Sequence, residues 1–572
     1  MLISTYLAPE NLSKRTYQLF LLTALLCIPA LFAGYMGDDY IHHALLSTAI
    51  PIDKPNDLSL FGLFSFINGD PERNRLLMDY SLIPWWTYSE LKYAFWRPIS
   101  EITHWIDHSL WPNHPWLMHL HNILWYLAIV ALAARLYRKT LAGSAAVIAL
   151  ALYALDSSHG FTLSWIANRN GLISVTFGLL TLMFYTRWRE SDSIGALILS
   201  LVSLALGLLS AEMGISVFGY LGAYALFMDK RGWLKGCFAA FPHFLVIIIW
   251  WLVYKGSGFG AAHADSYYVD PAEHPITFIL KLVERFPVLL ASQWGIIPAE
   301  IYGFSGATIW GYVALCALFL AVCLVPILFV GWKEKSVRFW FFGMLFSILP
   351  ALTALPHDRL LMFAGIGAAG ILGHFLNQVF IANKSAHRKI TRVVAYMLVG
   401  IHLILSPILL PVMAYSTKVW ADLIPSSPSY FSGIDNIANK QLVLFSPPIA
   451  SALAIGPLRF YRGEAMPERV WTITSQNDPL KFELLDENTL SIVNPEGFMR
   501  AQTEKAFRNI EKYPFEEGEV TGLSGLSISI HDINREGVPT KLVLTFKEPV
   551  REGKLKFLQW DSKEKAYKEL TL

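Results

Sequence analysis

The chain has 572 residues, of which 54% are hydrophobic and only 16% charged, and its mean hydropathy is +0.42. A soluble domain is near half apolar and about one quarter charged, so an ordinary globular enzyme is excluded. A net charge of +2 provides no field for a nucleic-acid partner, and Cys27, Cys237, Cys316 and Cys323 all lie in apolar runs, which excludes a disulfide framework or a CxxC zinc site.

The apolar excess falls in runs of the length that spans a ~30 Å hydrocarbon core as a helix. In chain order the predicted spans are 17–36, 117–134, 142–155, 170–186, 195–210, 211–228, 237–254, 308–331, 337–354, 360–380 and 392–415. The class is a polytopic α-helical membrane protein with about eleven transmembrane helices. The run 142–155 is short, and 276–297 is amphipathic and left open. The first run reads as an uncleaved helix, because the small-x-small pattern around Leu31 to Ala33 is poor for a signal peptide.

Orientation follows the basic residues of short loops. Lys14 and Arg15, Arg135, Arg138 and Lys139, Arg187 and Arg189, Lys230, Arg231 and Lys235, Lys333, Lys335 and Arg338, and Lys384, Arg388, Lys389 and Arg392 alternate onto one face. This predicts a cytoplasmic N-terminus, an outer loop at 37–116, an outer segment at 256–307 and an outer tail from 416 to 572. Small loops and a small tail favour a bacterial inner membrane, with the tail periplasmic. The sequons at Asn11 and Asn383 fall on the predicted cytoplasmic side and carry no information.

Within the outer loop, SLIPWWTYSELKYAFW is rich in Trp and Tyr, which suits a helix lying in the headgroup zone. The domain reading is a transmembrane domain over 1–415 and a separate β-rich domain over 416–572. In that tail KQLVLF, RVWTIT, KFELL, LSISI, KLVLTF and KLKFLQW are β-rich and separated by Asn, Asp, Gly and Pro.

Charged and imidazole groups recur at the outer ends of the spans. Asp38 and Asp39 in GYMGDDYIHH come first. Arg97 and Asp107 follow in WRPISEITHWIDH, with His119 and His121 in HLHN. His159 and Arg169 lie in DSSHGFTLSWIANRN, Glu212 in SAEMG, and His357, Asp358 and Arg359 in LPHDRLL. A single arginine near a helix end ordinarily snorkels to headgroups, and a carboxylate pair often marks a solvated turn. Arginines beside carboxylates on one face are also what a phosphate-bearing lipid needs. The guanidinium fork holds phosphate, and a carboxylate can take a proton from an attacking hydroxyl.

A first helix ending in an acidic pair, followed by a large outer loop, resembles the GT-C superfamily of integral membrane glycosyltransferases. The likeness is to the protein O-mannosyltransferase-like branch and the cadherin-modifying transmembrane mannosyltransferases. FWRPIS resembles F-R-P-L-S, and WPNHPWLMHLHN resembles N-P-x-x-Y-H-L-x-N, keeping His119 and Asn122. HGFTLSWIANRNGL resembles H-T-E-A-V-A-W-V-x-G-R-x-D-L, keeping His159, Trp165 and Arg169. LLSAEMG resembles L-L-S-K-E-x-A, keeping Glu212, and LPHDRLL resembles P-x-x-E-R-Y-L-Y, keeping Asp358 and Arg359. The chain departs from these patterns at Phe161, Gly171 and Ala211, where the family has Glu, Asp and Lys.

The resemblance implies transfer of a sugar from a polyprenyl-phosphate-linked donor to a glycan, lipid or protein acceptor at the outer face. It matches Asp38 to the catalytic acid and Asp39 to its neighbour. Arg169 and Arg359 are implied as phosphate ligands, with Arg97, His159, Glu212, His357 and Asp358 in the substrate-binding set. The family is mostly inverting, which needs one base. An Asp pair can coordinate a divalent cation or act alone, so a metal is left open and no other cofactor is implied. The rival readings are a transporter or flippase of lipid-linked sugars and a non-catalytic membrane anchor for the tail. A transporter favours polar groups at midplane in paired halves, whereas here they gather at the outer ends.

Overall fold

The computed structural model describes residues 12–47, 62–264, 267–295, 297–382, 388–423, 437–500, 502–570 and 572. Asn11, Asn383 and Lys384 lie outside the described residues. The chain divides into two compact units, one gathering Met1–Gly34, Trp96–Gly258 and Asp270–Lys418, the other Tyr35–Phe95, Phe259–Val269 and Val419–Leu572.

The first unit is helical. Lipid offers no partner for backbone N–H and C=O groups, so an apolar run must satisfy them within itself. All eleven predicted runs are helical. Among the described residues seven are long and apolar enough to cross a membrane: Leu12–Phe32, Pro115–Thr140, Trp233–Gly256, Ile309–Gly331, Lys335–Thr353, Asp358–Ala382 and Lys389–Met413. Gly143–Ala154, Ile194–Leu208 and Glu212–Phe227 are shorter apolar helices. The amphipathic stretch left open in the sequence is the helix Pro275–Trp294. Ile276, Ile279, Leu280 and Val283 are exposed at one end, and Val288 to Ala291 and Trp294 are buried at the other.

The helix Met362–Asn377 is almost wholly buried. Its glycines make this position available, since small residues let membrane helices approach closely. A Cβ on Gly370 would lie 2.7 Å from the Trp340 ring, and one on Gly373 would lie 2.7 Å from the Ala149 Cβ.

The second unit is built of sheets. Strands β1 (Ser65–Asn68), β2 (Lys92–Ala94) and β3 (Gly260–Ala262) form an antiparallel sheet. The tail contributes β4 (Gln441–Phe445), β5 (Arg469–Thr474), β6 (Lys481–Leu484), β7 (Thr489–Val493), β8 (Val520–Gly522), β9 (Leu526–Ile533), β10 (Pro539–Phe546), β11 (Leu555–Asp561) and β12 (Ala566–Glu569). These form a five-stranded sheet, β6-β7-β10-β9-β8, and a four-stranded one, β12-β11-β4-β5. Strand β4 runs parallel to both β11 and β5. The helix Ile449–Tyr461 provides the crossover from β4 to β5 that parallel pairing demands. All six β-rich stretches picked out in the tail carry a strand. The crossover helix, β7, β8 and β12 were not foreseen.

The Trp-rich stretch of the outer loop corrects its expectation. No interfacial helix forms over 81–91. Trp85 and Trp86 are instead 3% and 1% exposed, packed in a core with Val443, Trp471, Ile528, Leu544 and Phe557 of the tail. Trp85 Nε1 donates to the Ile473 carbonyl at 2.9 Å, and Ser81 Oγ lies 2.8 Å from Thr472 Oγ1. Asp79 Oδ1 accepts from Ser524 N at 2.8 Å. Pro84 interrupts any helical ladder there, and two large indoles remove far more area from water inside a sandwich than along a lipid surface. The tail therefore completes its core with loop residues, and its unit also takes in Tyr35–Phe95 and Phe259–Val269.

Candidate functional site

The acidic pair opens the helix Asp38–Leu46, whose N-cap is Gly37 at φ 52°. That left-handed conformation is nearly free for glycine and strained for residues with a Cβ. Both carboxylates sit in the first helical turn, where the macrodipole favours negative charge. They are not equivalent. Asp39 is 2% exposed, and its Oδ2 accepts from Met36 N at 3.0 Å, closing the turn. Asp38 is half-buried and does not belong to the buried set. Farther along the helix, His42 stacks on Phe66 at 5.7 Å, and His43 lies 5.7 Å from the Phe460 ring.

The other predicted residues belong to the helical unit. Arg169 begins the helix Arg169–Ser191 and is wholly buried. Its Nη1 pairs with Asp107 Oδ2 at 2.5 Å. Its Nε donates to Asn122 Oδ1 at 2.6 Å and its Nη2 to the Met118 carbonyl at 2.9 Å. Asp107 Oδ1 also lies 3.0 Å from His121 Nδ1. All three guanidinium nitrogens are engaged by protein, so Arg169 ties together the three helices that carry it, Asp107 and Asn122. A buried cation needs this many partners to offset its desolvation.

Arg97 and Glu212 meet each other. Arg97 Nε and Nη2 donate to Glu212 Oε2 at 3.0 and 2.7 Å, and Tyr254 Oη donates to Oε1 at 3.3 Å. His159 is fully buried, with Nδ1 2.9 Å from Tyr126 Oη and its ring 4.7 Å from that of Tyr153.

The LPHDRLL segment behaves differently. Arg285 Nη1 donates to the Leu352 and Ala354 carbonyls, fixing the chain just before it. Asp358 Oδ1 accepts from Ser292 Oγ at 2.5 Å and from Ala299 N at 2.9 Å. Arg359 lies over Trp165 at 4.8 Å, and its Nε has no protein partner among the described residues. His357 sits 5.0 Å from the Phe161 ring, and Phe161 lies 5.6 Å from Trp165. Arg359 thus keeps Nε as a buried donor unpartnered among the described residues. Phe161 lines the same cluster.

Residues 98–254 match the dolichyl-phosphate-mannose-protein mannosyltransferase family. This is just over a quarter of the chain, and it covers Asp107, His159, Arg169 and Glu212. A human relative, protein O-mannosyl-transferase TMTC3, is 25% identical over 144 residues, 25% of this chain and 16% of that protein. The chain thus spans about a sixth of the curated relative it matches. Among solved structures, the oligosaccharyltransferase AglB of Archaeoglobus fulgidus with an inhibitory peptide and a dolichol-phosphate has a TM-score of 0.42 at 12% identity, covering 79% of this chain and 64% of its own. ArnT of Cupriavidus metallidurans, bound to undecaprenyl phosphate, has a TM-score of 0.37 at 12% identity, covering 79% and 85%. The family match over residues 98–254 agrees with the likeness to O-mannosyltransferases read from the motifs.

Outside the matched residues, Glu300 joins the LPHDRLL cluster without having been singled out in the sequence. Its Oε1 lies 2.6 Å from His357 Nδ1 and accepts from Asp358 N at 3.2 Å. The only sequence signal was an acid in an outer segment. Among the described residues no three His, Cys, Asp or Glu side chains could hold a metal ion together.

Burial works to raise the Glu300 carboxyl, but the His357 contact and backbone donors bring it below its usual value. Burial, seconded by Arg359, lowers His357 against the pull of Glu300. Neutral pH therefore leaves an anionic Glu300 beside a neutral His357, whose Nδ1 also accepts from Arg359 N at 3.2 Å. Both groups bind protons more weakly folded than unfolded, so stability falls as pH drops below about 6.5, the ordinary imidazole value, and on through the carboxylate range. The thermal midpoint of wild type should fall further between neutral and acid pH than that of His357→Asn, which removes both the depressed imidazole and the contact that lowers Glu300. Parallel curves would remove the pair from the acid response.

Proposed function

We propose that this chain is a membrane glycosyltransferase that moves a sugar from a polyprenyl-phosphate carrier to an acceptor hydroxyl at the outer face, with inversion. The mannosyltransferase match and the ordered motif series support the transferase class. The alternation of basic loops supports an outward-facing site and a tail on the same side. The observation that carries the reading is the asymmetry of the acidic pair: Asp39 is buried and holds the turn, leaving half-buried Asp38 at a helix N-terminus.

In that reading the Asp38 carboxylate takes the proton of the acceptor hydroxyl. The acceptor oxygen bonds to the anomeric carbon as the bond from that carbon to the carrier phosphate oxygen breaks. The phosphate leaves with its electron pair, so it needs cationic stabilisation rather than a strong acid. Arg359 supplies this. Stacking on Trp165 fixes the guanidinium plane while keeping its edge for the phosphate.

The test is turnover of a radiolabelled polyprenyl-phosphate sugar by purified protein in lipid vesicles. Arg359→Lys keeps the charge but loses the fork, and a charge-assisted hydrogen bond is worth about 1.5–3 kcal/mol. Apparent donor KM should rise on the order of tenfold or more, with acceptor KM nearly unchanged. Unaltered donor use by Arg359→Lys would place the phosphate elsewhere.

A further inference from the structure

The second unit seats the acidic helix on the C-terminal tail. Asp38–Leu46 packs against Ile449–Tyr461, the crossover between parallel strands β4 and β5. A crossover helix is held at both ends by its strands, and this one is fastened further where the chain turns back. There Arg459 Nε donates to the Ala465 carbonyl at 2.8 Å and Glu464 N donates to the Arg459 carbonyl at 2.9 Å.

Tyr461 ends that helix. Its ring lies 4.9 Å from Tyr35, 5.5 Å from Tyr40 and 5.4 Å from His43. Tyr35 and Tyr40 flank Asp38 and Asp39 in the sequence and also meet each other edge-on at 5.8 Å. One ring of the tail therefore touches the chain on both sides of the carboxylate turn. The turn itself is Gly37, with a positive φ and open space within 4 Å of where a Cβ would stand. No side chain packs at that position, so beyond the hydrogen bonds that close the turn, the setting of the helix start depends on the rings around it.

We propose that Tyr461 is a positioning residue for Asp38, through which the β-rich tail orients the carboxylate that takes the acceptor proton. This rests on the glycosyltransferase reading given above. The contacts are ring to ring, so the aromatic face matters and the hydroxyl does not. A small misplacement of a reacting group costs rate without altering how a separate part of the substrate binds.

Full-length Tyr461→Leu and Tyr461→Phe, in vesicles with a polyprenyl-phosphate sugar, provide the test. Tyr461→Leu should lower kcat by roughly tenfold to a hundredfold with donor KM unchanged, and Tyr461→Phe should restore wild-type kinetics. Amide hydrogen exchange over residues 38–46 should quicken in Tyr461→Leu only, with β9 and β10 still protected. A wild-type kcat in Tyr461→Leu, a loss carried by donor KM, or a Phe variant as poor as Leu would overturn the proposal. If Tyr461→Leu also deprotects β9 and β10, Tyr40→Leu removes the same ring contact from the other side and should show the same signature. A wild-type protein with no transfer would sink the glycosyltransferase reading instead. The exchange measurement would then still decide whether Tyr461 orders the acidic helix.

Discussion

Asp38→Asn should abolish sugar transfer while the protein still inserts, purifies and melts as wild type. Losing a positioned general base typically costs ~10²–10⁴ in rate, and the isosteric amide keeps the shape of a half-buried side chain. The charge removed lies at a helix N-terminus, where its contribution to stability is about 0.3–1 kcal/mol, too small to unfold the domain. Asp39→Asn should differ. Asn still offers an oxygen to Met36 N, so the turn closes and the loss is partial; Asp39→Ala removes that acceptor and should loosen the helix start. Single-turnover transfer and thermal melting, measured on the same preparations, separate the two roles. Wild-type turnover in purified Asp38→Asn would take the base out of the mechanism.

Arg169→Met should be the most destabilising of the changes considered, through folding rather than substrate. Breaking a buried ion pair by removing one partner costs about 3–5 kcal/mol, because the other charge stays buried. Here Asp107 would be left at 0% exposure. Asn122 Oδ1 and the Met118 carbonyl would lose their donors as well. The double variant Asp107→Leu/Arg169→Met removes both charges and should recover much of the loss, since apolar replacement of a buried pair is often neutral or better. Melting of detergent-solubilised protein reads the stability, and donor KM of the double variant reads the role. A folded double variant with wild-type donor KM supports a role in tying the helices together. A selective rise in donor KM at wild-type stability would assign Arg169 to the phosphate.

The sequence by itself determined the class and the helices, and it pointed to the charged residues from which the candidate site is proposed. Eleven apolar runs became helices because lipid leaves the backbone no alternative. The six β-rich stretches became strands because their β-branched, aromatic and apolar residues fit a pleated sheet, buried on both faces in β4 and β5 and alternating in β9. The acidic pair, Arg359 and Glu212 were legible because charge at the end of an apolar run is costly and therefore informative.

Only the tertiary structure decided what each charged group touches. Arg169 and Arg359 follow similar outer-end motifs. One is enclosed by Asp107, Asn122 and Met118, while the other lies on Trp165 with a donor to spare. Asp38 and Asp39 are neighbours in sequence, but helical geometry turns successive side chains about 100° apart, burying one and leaving the other half-exposed. Trp85 and Trp86 read as lipid-facing because composition does not distinguish a membrane surface from a sandwich core. The partners that bury them, Trp471 and Phe557, lie nearly 400 residues or more away along the chain. Contacts at that separation arise from chain topology, which local pattern does not encode.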